Sequence, residues 1–155
     1  MKVTRHIEGD YKKCWKVLME GFINDVAYAN GKHLKMRDIV EGYTYTKRLH
    51  GKIQSADVKV TLTKLVKNEL YEASFYTRQG INTLSYTLVS DGEASFDLIY
   101  EETFQGNKAS TNANHKLMSL LYSRSSKKRI NKVLDKVQSL MEEKSAAVTK
   151  TAKKK

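Results

Sequence analysis

The sequence predicts an α+β fold. It has one curved antiparallel sheet of about six strands with an apolar inner face, one or two short helices after the first strand, and a long C-terminal helix. Three observations predict it. Four runs between Asp57 and Phe104 alternate apolar and polar residues, as half-buried strands do, because successive strand side chains point to opposite faces. Turn-forming residues separate those runs. Apolar residues recur at helical spacing before and after them.

The four runs are explicit. Val58, Val60 and Leu62 alternate with polar residues, as do Tyr71, Ala73 and Phe75. Leu84, Tyr86 and Leu88 follow, then Phe96, Leu98 and Tyr100. Turn positions are tested by whether they keep one apolar face, since a one-residue slip inverts a strand. A two-residue turn at Lys67-Asn68 sets Leu62 opposite Ala73 and Val60 opposite Phe75. A turn at Gln79-Gly80 sets Phe75 opposite Leu84 and Ala73 opposite Tyr86, with Gly80 supplying the positive φ of the turn. A three-residue turn at Ser90-Asp91-Gly92 sets Tyr86 opposite Phe96 and Leu84 opposite Leu98.

Before the meander, Val3 to Ile7 reads as a strand. Asp10 is a good helix N-cap. Tyr11, Cys14, Trp15, Leu18, Phe22 and Val26 then form an apolar stripe, widened by Met19 and Ile23. Gly21 interrupts the stripe and is a candidate break between two short helices. Asn30-Gly31 is a stop signal. Residues 32–41 read as a loop or short helix. Gly42 to Leu49 reads as a strand with Tyr43, Tyr45 and Leu49 on one side.

After the meander, Gly106 to Asn112 is a small, polar loop, and Ala113 to about Glu143 is helical. Ile130, Val133, Val137, Leu140 and Met141 make one stripe. Leu117, Leu120 and Leu121 make another, nearly opposite at 100° per residue. Either the helix kinks near Ser123–Ser126, or a continuous helix turns small hydroxyl residues to the sheet and leaves space. The domain is expected over 1–143, with 144–155 a disordered basic tail.

At 155 residues the chain is expected to form one domain. Its net charge of +11 is unevenly placed. Residues 1–115 hold 16 basic and 14 acidic side chains, and residues 116–155 hold 12 and 3. A single cysteine rules out an internal disulfide. With no apolar leader and no run of about eighteen apolar residues, a soluble, cytoplasmic protein is expected.

The order of strand, short helices, five strands and long helix resembles the helix-grip fold of the START-like, birch-pollen-allergen-like superfamily. The resemblance implies a curved sheet wrapped around the last helix, often with a cavity for an apolar ligand. More closely, the chain is similar to a family of small Gram-positive bacterial proteins classed as a domain of unknown function. Glu41-Gly42-Tyr43, Leu84-Ser85-Tyr86, Tyr100-Glu101-Glu102 and Lys127-Lys128-Arg129 carry that likeness over roughly residues 1–142. The first half of the last helix departs from it, because Ser119, Ser123, Ser125 and Ser126 dilute a stretch that is often strongly apolar in such proteins. No activity comes with the resemblance.

Two groups of residues bear on function. Trp15, Tyr45, Tyr71, Phe75, Tyr86, Phe96 and Tyr100 are expected around the inner face. There they either fill an ordinary core or line an apolar pocket with hydroxyl anchors. Arg5 and Glu102 interrupt the apolar faces of the first and last strands, which are neighbours in a helix-grip fold. They are expected to pair with each other or to anchor a ligand headgroup. The second group, Arg124, Lys127, Lys128, Arg129 and Lys132, is a solvated basic face or a site for an anionic surface. Without interleaved aromatics, nucleic acid is the weaker partner.

No catalytic, metal or cofactor site is expected. His6, His33, His50 and His115 are scattered, and Cys14 lies on an apolar stripe. The leading expectation is non-enzymatic binding of a small apolar or amphipathic ligand between sheet and last helix. The alternative is an interaction protein that docks on an anionic membrane or nucleic acid through the basic C-terminal segment. Oligomeric state is left open.

Overall fold

A computed structural model of the chain describes residues 1–50, 55–92, 94–107 and 124–153; side chains in the last segment are described over 127–143. Strand β1 (Lys2–Glu8) leads into helix α1 (Tyr11–Asn30). The Asp10 side chain accepts the Lys12 N–H at 2.9 Å and starts the helix. Gly31, at φ +74°, donates its N–H to the Ala27 carbonyl and stops it. Gly21 does not split α1. Leu18 and Phe22 are buried on either side of it, and that burial outweighs the roughly 1 kcal/mol a helical glycine costs.

A 3-10 turn at Met36–Asp38 follows, and Asp38 accepts the Lys35 N–H. Five strands complete the sheet: β2 (Thr44–His50), β3 (Ser55–Val66), β4 (Leu70–Thr77), β5 (Gly80–Ser90) and β6 (Ser95–Gly106). All neighbours are antiparallel, in the order β1-β6-β5-β4-β3-β2. The curved sheet and the two helices are the architecture expected.

The inner and outer faces are as predicted, but the turns are not. Val66 pairs with Leu70 around a three-residue turn, with Asn68 left-handed at φ +64°. A bulge at Thr63 absorbs the extra residue, so Leu62 still faces Ala73 and Val60 still faces Phe75. The second turn falls one step earlier, at Arg78-Gln79. Thr77 Oγ1 accepts from the Gln79 N–H and donates to the Gly80 carbonyl. Phe75 therefore faces Asn82, and Ala73 faces Leu84. In the third hairpin Ser90 pairs with Phe96, which puts Tyr86 opposite Tyr100 and Leu84 opposite Glu102. The second and third corrections shift register by an even number, which leaves every apolar residue on its face. β1 helps choose the third: Ile7 pairs with Phe96, and the Gly9 N–H reaches the Ala94 carbonyl.

Helix α2 (Arg124–Lys153) lies against α1 and the sheet. Ile130, Leu134, Val137 and Met141 are its buried positions. Leu134 is fully buried, while the expected Val133 and Leu140 are only half-buried, so the stripe lies slightly around the helix from its predicted line. Residues 144–153 continue as helix, whereas a disordered tail is expected from the sequence. That stretch holds no glycine or proline and is rich in alanine and lysine, both good helix formers. Leu49 is exposed rather than facing inward, near the end of an edge strand. Leu117, Leu120, Leu121, Ser119 and Ser123 lie outside the described residues, while Ser125 and Ser126, at the other end of the predicted kink, are helical in the first turn of α2.

Candidate ligand-binding site

Helix α1 brings one face to the sheet because Leu18, Phe22 and Val26 recur at i and i+4. The contact is incomplete. A cavity of about 290 Å³ remains between α1, the inner face and α2. Val17, Leu18, Gly21, Phe22 and Asp25 line it from α1. Tyr45, Tyr71, Phe75, Leu84 and Tyr86 line it from β2, β4 and β5, and Val137 and Leu140 from α2. Gly21 contributes to the space, since a Cβ there would meet nothing within 4 Å.

Edge-on and tilted aromatic contacts hold the walls. The Phe22 ring is 5.7 Å from Tyr45 and 6.1 Å from Tyr71. Tyr71 continues to Tyr86 at 6.0 Å, and Tyr86 to Tyr100 at 5.1 Å. Burial pushes the Tyr71 and Tyr86 phenols well above their ordinary range, so both stay neutral donors.

Asp25 is the cavity's one charged lining residue. Its carboxylate accepts hydrogen bonds from the Tyr45 hydroxyl and, at 3.0 and 3.3 Å, from the Lys47 ammonium. Burial, followed by the hydrogen bond to Asp25, raises the Tyr45 pKa far above its usual value. Lys47 also lies 5.2 Å from the centre of the Phe75 ring.

Of the expected ligand-binding residues, Tyr45, Tyr71, Phe75 and Tyr86 meet here. Trp15 does not; it faces a separate groove on another side of α1. Phe96 is fully buried core, and Tyr100 is buried beside Tyr86 with its hydroxyl bonded to Glu102.

Arg5 and Glu102 do not pair. Arg5 lies opposite Leu98, four residues along β6 from Glu102, a separation of roughly 13 Å at strand rise. Each finds its partner on α2 instead. Arg5 bonds Asp135 at 2.6 Å and the Asn131 side chain at 3.0 Å. Glu102, 4% exposed, accepts from Arg129 at 2.7 Å, from Tyr100 and from Asn82. Burial opposes the Arg129 charge, but its hydrogen bond and attraction to Glu102 prevail and raise its pKa.

Arg129 is therefore committed to the fold and is not a free anion ligand. Lys127, Lys128 and Lys132 are exposed, as a basic surface requires. Arg124 opens α2, and its side chain lies outside those described. The Cys14 thiol is buried and pushed up to about 12, so it is not a ready nucleophile. Among the described residues no three His, Cys, Asp or Glu side chains gather as metal ligands, and no helix is long and apolar enough to cross a membrane.

Sequence reasoning missed Gly21, Asp25 and Leu84 as cavity residues. Asp25 left a signal: it sits three residues from Phe22 and seven from Leu18, so it interrupts the apolar stripe with a carboxylate.

Solved structures share this fold. Thalictrum flavum norcoclaurine synthase, in complex with dopamine and hydroxybenzaldehyde, is similar with a TM-score of 0.61 at 11% identity, over 92% of this chain and 86% of that one. A protein of unknown function from Staphylococcus aureus has a TM-score of 0.57 at 12% identity, over 94% and 97%. Ara h 8.0201 has a TM-score of 0.51 at 7% identity, over 91% and 97%. These likenesses show the helix-grip architecture. No curated protein matches the chain. The family described as "Domain of unknown function (DUF3284)" matches residues 1–123, and the chain belongs to that family.

Proposed function

We propose that the protein is a non-enzymatic binding module that holds one small apolar or amphipathic molecule between α1, the sheet and α2. The observation that carries this reading is the 290 Å³ cavity, apolar on most sides, with the Tyr45–Asp25–Lys47 group at one edge. The volume lies near the small end of ligand sites, about 300–1,000 Å³, and fits a one- or two-ring molecule. A norcoclaurine synthase of the same fold forms a complex with dopamine and hydroxybenzaldehyde, which are one-ring molecules. Asp25 is already paired with Lys47 and Tyr45, and the buried phenols stay protonated, so the cavity holds hydrogen-bond donors rather than a poised base. We place this function in the cytoplasm, where lone Cys14 stays reduced.

The test is native mass spectrometry of protein purified from a bacterial host without detergent, joined to titration with the neutral two-ring fluorophore 1-naphthylamine. An excess mass lost on denaturation, or saturable binding at one site, is expected. Gly21→Leu adds a side chain at a lining position, narrows the cavity and should weaken both while the circular dichroism spectrum stays native. A bare mass together with no saturable binding would overturn the reading. So would unchanged binding in Gly21→Leu.

A second reading, docking on an anionic membrane surface, is favoured by exposed Lys127, Lys128 and Lys132. It requires vesicle affinity that falls steeply with salt and is mostly lost when the three lysines are replaced by glutamine. Salt-independent binding would count against it.

A further inference from the structure

A larger space lies on another side of α1. A groove of about 850 Å³ runs between the first half of α1, the 3-10 turn with Ile39, and the β3–β4 turn. Its floor is apolar. Trp15, Met19 and Ile39 are buried at its base, Leu65 is half-buried, and Met36 is 44% exposed. Lys12, Lys16, Arg37 and Lys67 line it from three separate elements.

Two features set this groove apart from an ordinary surface hollow. No carboxylate is among its lining residues, and among the described residues none of the four cations forms an ion pair. Four like charges gathered around one concavity repel each other, and an anion placed among them relieves that repulsion. The floor, in turn, offers few hydrogen-bonding side chains, the Trp15 indole N–H and the Asn68 amide at the turn. A peptide laid there would leave most of its backbone amides without a partner on the floor, and a bare phosphate would gain nothing from the apolar base. A hydrocarbon chain has no such cost, and the thioethers of Met19 and Met36 can adapt to it.

We propose that this groove is a second binding site, for a monomeric long-chain carboxylate whose chain lies on Trp15, Met19 and Ile39 and whose head meets Lys16 and Arg37. The recessed floor favours a free molecule over a bilayer surface. A membrane face would touch the lysines but not side chains less than a tenth exposed. The volume matches the usual size of small-molecule sites, about 300–1,000 Å³. The site stands independently of the cavity beneath α1.

Trp15 is the sole tryptophan of the chain and lies in the groove, so its emission reports occupancy. The experiment titrates the full chain with laurate below its micellar range. A saturable change in emission is expected. The double variant K16E/R37E, on exposed positions, should weaken laurate by about tenfold or more at low salt, because both contacts reverse sign. Dodecanol, with the same chain and no charge, should bind more weakly than laurate to the unaltered chain and equally to both forms. Gly21→Leu should bind laurate unchanged. The proposal is overturned by the absence of a saturable change, by equal laurate affinity in K16E/R37E, or by loss of laurate binding in Gly21→Leu, which would put the ligand in the other cavity. Anionic phosphatidylglycerol vesicles that shift Trp15 emission more than laurate does would also overturn it, in favour of a membrane surface.

Discussion

The carboxylate of Glu102 and the guanidinium of Arg129 meet at 2.7 Å, tying the end of the sheet to α2. The Glu102 side chain is 5% exposed and the Arg129 side chain 52%. Removing the cation leaves a buried carboxylate with only the Tyr100 and Asn82 bonds. Arg129→Met should therefore lower stability by about 2 kcal/mol, less than the roughly 3–5 kcal/mol of a fully buried pair because Arg129 is half solvated. Adding Glu102→Gln should recover about half of that loss. Urea unfolding of the two single variants and the double variant checks it. Additive losses would mean that the two charges do not interact.

Arg5 gives the contrasting case. Its bond to Asp135 is short, but Asp135 is 70% exposed. Exposed pairs contribute about 0–1 kcal/mol. A double-mutant cycle of Arg5→Met with Asp135→Ala should give a coupling near 0.5 kcal/mol. The same cycle with Glu102→Gln should give none, since Arg5 and Glu102 lie four residues apart along β6.

Gly21 predicts a gain. A Cβ at this position meets nothing within 4 Å, and the backbone is helical. Gly21→Ala should stabilise the protein by about 0.5–1 kcal/mol, the helix-propensity difference. Thermal unfolding checks it. A loss would mean that the native chain needs the freedom of glycine at this point of α1.

The sequence-level reading worked where a pattern has one physical solution. Alternation fixes which side chains face the core, so Val58, Val60, Leu62, Ala73 and Phe96 were legible as inner-face residues, and all are buried. Alternation cannot distinguish registers that differ by two or four residues. What decides among those is chemistry distant in the chain: the Thr77 hydroxyl clasping its turn, and β1 holding Phe96. The site was half legible for the same reason. Tyr45, Tyr71, Phe75 and Tyr86 follow from face parity. Trp15 does not, because a wide helical stripe can meet two different neighbours at once. Pairing Arg5 with Glu102 failed on height along the strand, which side-chain parity says nothing about.

His6 predicts a pH dependence. Its Nδ1 lies 2.8 Å from Asp97. That hydrogen bond, against a smaller desolvation effect and aided by the charges of Asp97, Glu8 and Asp91, raises its pKa above 6.5. A raised folded-state pKa means that the added stability is fully present below about pH 6.5 and is lost as pH rises through the folded value. An NMR titration of the His6 ring should show the elevated midpoint, and Asp97→Asn should bring it down. An Asp97→Asn midpoint equal to the native one would show that the contact does not persist in solution.

Gly80 opens β5 where the strand passes closest to the end of β6. A Cβ built there would overlap the Gln105 carbonyl oxygen and lie 2.8 Å from the Gly106 Cα, both backbone atoms that no rotamer change can move. Its φ of +149° adds strain for any L side chain. The strands must separate or the turn must slip, and the even-register alternatives of this hairpin make a slip the easier response. Gly80→Ala should cost about 3 kcal/mol, with the loss concentrated in the β5–β6 pairing. Hydrogen exchange of the Ile81 and Gln105 amides locates it. Early exchange there with the rest of the sheet still protected is the expected pattern. A stability within about 0.5 kcal/mol of the native chain would mean that the close approach of Gly80 to Gln105 is not kept in solution.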